Sequence, residues 1–109
     1  MAKRRWWEHT EAVALGMKEL DRGRPGWEHH IDLDKLNVGH MGNCVLGQLF
    51  GGNWLAGLIA LGCPSHEEEP TWADDRGFRC VGHEGSLTTA WKRAIQARRQ
   101  ARETEVIGT

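Results

Sequence analysis

The sequence contains no tyrosine and only two phenylalanines, yet it has six tryptophans. Aromatic bulk therefore comes almost wholly from indoles, each burying a large area and bringing one N–H that needs an acceptor. This implies a core built around tryptophan, or a few indoles kept for a binding face. Long apolar runs are also missing. The most apolar stretch, Trp54 to Leu61, falls far short of the ~20 residues that a membrane-spanning helix needs. The opening Met1-Ala2-Lys3-Arg4-Arg5-Trp6-Trp7 is basic but runs into Glu8 and His9 with no apolar segment behind it, so no secretory signal is expected. Cysteine is scarce and odd in number (Cys44, Cys63, Cys80), which points to a reducing compartment and away from a disulfide framework. The glycines at Gly39, Gly42, Gly47, Gly51, Gly52 and Gly57 spell no phosphate loop, because GxxxxGK[ST] is absent and no strand leads into a helix. The expectation is a soluble, cytoplasmic protein.

Net charge is also nearly absent. A formal −1 argues against a general nucleic-acid binder driven by phosphate neutralisation. The balance is uneven along the chain, however. Residues 1–24 carry six Lys/Arg against four Asp/Glu, residues 25–85 carry three against nine, and residues 86–109 carry five against two. Basic ends flank an acidic middle, the simplest reading of which is a solvated surface.

What is present reads as helix. At 109 residues the chain has room for one domain and one core. From Trp6 to Arg22, residues Ala12, Val13, Leu15, Gly16, Met17 and Leu20 form a stripe near the 3.6 period, and Gly16 marks a close helix–helix contact. Gly23 and Pro25-Gly26 end that helix. Ile31 to Leu36 suits a short helix capped by Asp32. Asn43 is the expected cap of a helix carrying Val45, Leu46, Leu49 and Phe50, which Gly51 closes in the left-handed conformation. A further helix, from about Asn53 through Leu61, is apolar nearly all round and is therefore expected at the centre. Residues 63–85, with Pro64, Pro70 and the acidic run Glu67-Glu68-Glu69, read as a long surface loop. The last helix runs from Leu87 to about Gln100, with Leu87, Ala90, Trp91, Ala94 and Ile95 on one face. Its Arg98, Arg99 and Arg102 suit a helix C-terminus.

The segment Cys44-Val45-Leu46-Gly47-Gln48-Leu49-Phe50-Gly51 resembles a motif in small proteins of actinobacteriophages and actinobacteria for which no activity is known. Pro25-Gly26-Trp27 and Ile31-Asp32 before it, and Leu61-Gly62, Gly77-Phe78, Leu87 and Trp91 after it, fit the same pattern. The likeness covers roughly residues 10 to 95. It implies an origin and no mechanism.

Five places carry candidate chemistry. Cys63-Pro64-Ser65-His66 and Cys80-Val81-Gly82-His83 are two CxxH pairs. Cys63, His66, Cys80 and His83 form the donor set of one structural zinc, which would also order the long loop. The alternative is surface histidines and core cysteines, with no cofactor. Cys44 at a helix start has the partial charge that favours a thiolate, and His40 is a base four residues away. A small buried thiol is the plainer reading. Gln48, one turn after Cys44, is expected to hold the backbone of a loop around Leu36 to His40. Glu28, His29 and His30 read as a solvated loop, since adjacent side chains diverge. Finally, Lys3-Arg4-Arg5-Trp6-Trp7 pairs cations with stackable rings, and Lys92, Arg93, Arg98, Arg99 and Arg102 line the last helix, as in a single-strand binder.

Together these imply an all-α, single-domain bundle of four to five short helices over residues 6–101, with tails at 1–5 and 102–109. The leading expectation for function is a non-enzymatic, phage-type accessory protein that binds a host or phage protein. Nucleic-acid binding through the basic ends, a zinc-stabilised domain and a thiol enzyme using Cys44 are the alternatives.

Overall fold

The computed structural model describes residues 6–64, 69–79 and 82–107. Among them are five α-helices and no strand: α1 (Trp6–Gly23), α2 (Val45–Leu49), α3 (Trp54–Ala60), α4 (Glu69–Asp75) and α5 (Glu84–Ile107). A 3₁₀ turn at Trp27–His29 lies between α1 and α2. The chain is a small all-α domain. Among the described residues no helix is long and apolar enough to cross a membrane.

The core forms where α1 and α5 pack on each other. Val13 and Leu20 from α1 and Leu87, Trp91 and Ile95 from α5 are buried, with Leu20 and the three α5 residues fully so. Gly16 makes this approach possible: a methyl group there would run into the Arg76 carbonyl oxygen and the Trp91 ring. Trp91 also meets Trp27 edge-on at 5.9 Å and stacks on Phe78 at 5.8 Å, and Phe78 stacks on Trp72 at 6.2 Å. Each such pair contributes about 0.5–1.5 kcal/mol beyond area burial. Both buried indole N–H groups find acceptors, Trp91 Nε1 on the Gly77 carbonyl at 2.6 Å and Trp27 Nε1 on Asp21 at 2.9 Å.

Several expectations need correction. The apolar helix α3 is not central, because only Gly57 and Leu58 are buried in it and Ile59 is 67% exposed. On α1, Leu15 lies outside the buried stripe at 48% exposure. The stretch 63–85 is not one long loop, since α4 occupies part of it, begun by Pro70 in its first turn and anchored by buried Ala73. No helix forms at Ile31–Leu36. Asp32 instead closes a tight turn, its side chain accepting from the Asp34 N–H at 3.0 Å. Helix α5 starts at Glu84 and continues past Gln100 to Ile107, well into the expected tail.

The irregular segment between α1 and α2 is tied down by cations from α5. Arg98 forms a two-pronged pair with Asp21 (2.7 and 3.1 Å), and Arg99 donates to the Glu28 and Ile31 carbonyls at 2.7 and 2.6 Å. Arg102 reaches Glu28 Oε1 at 3.1 Å. Glu28 is only 1% exposed, which overturns the reading of Glu28, His29 and His30 as a wholly solvated loop.

Two stability tests follow from this geometry. Helix propensity alone favours Gly→Ala by up to about 1 kcal/mol. Gly16→Ala is nevertheless expected to destabilise by about 1–3 kcal/mol through overpacking, whereas Gly85→Ala, which meets open space in α5, should be neutral or stabilising in urea unfolding. The second test concerns pH. The hydrogen bond from Arg98 holds the Asp21 carboxyl below its ordinary value, against partial burial and with help from Trp27. A carboxylate lowered in this way adds stability above its unfolded pKa, and loses it as pH falls through the folded one. Acidification below about pH 4 should therefore destabilise the wild type more steeply than Arg98→Ala, and parallel urea–pH curves would contradict the staple.

Candidate functional site

The motif Cys44–Gly51 is built as an architectural joint. Cys44, not Asn43, caps α2: its sulfur accepts from the Gly47 N–H at 3.2 Å, and its thiol is directed at the Met41 carbonyl at 3.5 Å. Gly47 lies against the Met41–Gly42 backbone, where any side chain would collide. Gln48 binds both backbone groups of Asp32, accepting from its N–H at 2.6 Å and donating to its carbonyl at 3.1 Å, and also donates to the Asn43 carbonyl at 3.1 Å. The Gln48 tether is therefore on Asp32, earlier in the loop than Leu36 to His40. Gly51 has φ +67, the left-handed stop that the sequence implies. Phe50 and Leu46 press against Gly57 of α3, fixing the α2–α3 pair. The cap of α3 is Asn53, which accepts from the Ala56 N–H at 3.1 Å.

The two motif tryptophans, Trp27 and Trp91, are fully buried against each other. Their role is in the core.

Cys44 is poorly set up as a nucleophile. It is 4% exposed, and burial pushes its thiol up, outweighing the opposing pull of the Gly47 N–H and neighbouring amides. His40 is occupied elsewhere: its Nδ1 accepts from the Gly42 and Asn43 N–H groups at 3.1 and 3.2 Å. The backbone joins the two residues, Cys44 N–H to the His40 carbonyl at 2.9 Å.

Of the zinc donors, Cys63 is half-buried and His83 is half-buried with its ring 6.3 Å from that of His9. His66 and Cys80 lie outside the described residues. Among the described residues no three or more His, Cys, Asp or Glu side chains are grouped to hold a metal. The basic N-terminus, Lys3 to Arg5, also lies outside them. On α5, Arg98 is engaged with Asp21, Arg99 with the Glu28 and Ile31 carbonyls and Arg102 with the Glu28 carboxylate, so three of the five cations that line this helix have internal work to do.

Concave surfaces are also present among the described residues. One is an open groove of about 600 Å³ between α1 and α5. Val13, Ala14, Met17, Ala90 and Ala94 supply its apolar lining, and Thr10, Ser86 and Thr89 add hydroxyls. Arg93 and His9 complete it, and among the described residues no carboxylate lines it. Another is a smaller hollow of about 260 Å³ where Met41, Val38, Cys44 and Trp54 meet Arg79 and Glu84. No protein-family model, curated protein or solved structure matches the chain.

The groove eludes sequence reading because small residues on two distant helices make it. A second feature was legible and easily missed: from Met41 to Ser65 there is no Lys, Arg, His, Asp or Glu.

Native-state alkylation tests the cap. Iodoacetamide should modify Cys63 well before Cys44, and both should react alike in denaturant. Equal native rates would mean that the Cys44 sulfur is not committed to Gly47.

Proposed function

We propose that this chain is a small, non-enzymatic accessory protein of phage type, acting in the bacterial cytoplasm by binding a host or phage protein. The α1–α5 groove supports this reading. It is open, lies between two helices, and is lined by alanines, a valine and a methionine, with hydroxyls beside them. Small side chains on two neighbouring helices leave the width that a third helix fills, and an amphipathic helix laid in such a groove is a recurring mode of protein recognition. Among the described residues the groove carries Arg93 and no carboxylate, so an acidic flank on the incoming segment is the matching chemistry. The internal engagement of Arg98, Arg99 and Arg102 weighs the same way, since it removes three cations from a nucleic-acid face.

The test is a tagged pull-down from actinobacterial lysate, with and without nuclease, using wild type, Ala14→Arg and Ala14→Ser. Ala14 is exposed in the groove, so the arginine fills it without touching the core. One dominant protein should survive nuclease with wild type and Ala14→Ser, and fall at least about tenfold with Ala14→Arg. A partner indifferent to Ala14→Arg would remove the groove from the interaction. Loss of all partners on nuclease treatment would move the function to nucleic acid.

A further inference from the structure

Helix α3 is Trp54-Leu55-Ala56-Gly57-Leu58-Ile59-Ala60, without a charged side chain, yet most of it faces outward. Ala56, Ile59 and Ala60 are exposed and Leu55 is half-buried. A helix repeats its face at i and i+4, so this surface has two parallel rows. Leu55 and Ile59 form a bulky row, and Ala56 and Ala60 form a small one. A ridge therefore lies beside a groove on one helix face.

We propose that a second copy of this chain docks here, two α3 helices crossing about a two-fold axis with the Leu55–Ile59 ridge of each seated in the Ala56–Ala60 groove of the other. The argument is self-complementarity. In an isologous contact the same patch meets itself, so a surface offering both ridge and groove satisfies its own copy. A charge near the axis would face its own image, and like charges across an interface are costly. The whole run from Met41 to Ser65 is free of charge. Met41, 63% exposed, lies in the hollow that Arg79 and Glu84 also line, so the docking face is confined to α3 itself. Size sets the strength. Seven residues of helix measure only ~10 Å, so the contact covers less than the ~800 Å² per partner of a standard interface. The dimer is accordingly weak and depends on concentration. It does not rest on the groove reading, since no α3 residue lines that groove.

Sedimentation velocity of the purified full chain, from low micromolar to near-millimolar concentration, tests the proposal. The weight-average mass should climb from 12.3 kDa toward twice that value. Ile59→Lys, at a 67% exposed position, should weaken self-association at least about tenfold with unchanged circular dichroism. Ala56→Leu, which fills the small row, should weaken it as well. Ala14→Arg should leave it intact while removing the lysate partner. A mass fixed at the monomer value overturns the proposal, as does undiminished association of both α3 variants. Loss of association in Ala14→Arg alone would place the self-contact in the α1–α5 groove and overturn it too.

Discussion

The indole of Trp91 is the constraint on which the other packing choices depend. It is fully buried, and three segments meet it: α1 through Gly16, the 3₁₀ turn through Trp27, and the turn after α4 through the Gly77 carbonyl and the Phe78 ring. An indole that large, with one N–H to satisfy, leaves little freedom in what surrounds it. Gly16 has to lack a side chain because the ring and the Arg76 carbonyl occupy that space. Gly77 adopts φ +70, which turns the chain out of α4 and against the Ala12–Val13 backbone of α1. Gly16 thus answers to the Trp91 ring and the Arg76 carbonyl together, and Gly77 to the α1 backbone that it lies against. Trp27 meets Trp91 edge-on, and the stack of Trp91, Phe78 and Trp72 ends at Arg76, whose guanidinium lies 4.2 Å from the Trp72 ring.

The stretch from Arg24 to Asn43 has little regular structure, and its buried backbone groups need partners from elsewhere. Two side chains supply several of them. Gln48 offers one acceptor and two donors to Asp32 and Asn43, and Arg99 covers the Glu28 and Ile31 carbonyls. Hydrogen bonds from a charged donor contribute about 1.5–3 kcal/mol, against about 0.5–1.5 for neutral ones. The segment is thus clamped from α5 on one side and α2 on the other. Glu28 follows from the same arrangement: Arg102 compensates its carboxylate at Oε1, while His29 stands 3.8 Å away.

Legibility in the sequence followed the range of the physics. The long helices α1 and α5 and the stops at Gly23 and Gly51 depend on local periodicity and backbone conformation, which a single sequence displays. Gly16 as a contact point is visible because a glycine inside a helix needs a reason. Gln48 is legible as a tether but not as to its target, because the choice of Asp32 depends on where a loop returns. Helix α4 is missed because seven residues with Ala73 as the buried anchor give no period to detect. Asn43 and Cys44 compete as caps by residue type, and only the position of the Gly47 amide decides between them.

The misplacement of α3 teaches the most. Apolar character all round a helix is ordinarily a mark of burial, and by that rule Trp54 to Leu61 belongs at the centre. The centre is already filled by two fully buried tryptophans and the leucines of α1 and α5. A domain of this size has one core, so a second wholly apolar helix has nowhere inside to go. It sits at the edge, held by Phe50 and Leu46 against Gly57 and by Arg22 on the Leu61 carbonyl at 2.8 Å. Solvation alone would favour charged residues on its outer face, and a single Lys or Glu at Ile59 would leave the core untouched. The face instead presents Ile59 between two exposed alanines, and the proposed α3–α3 contact would account for that composition.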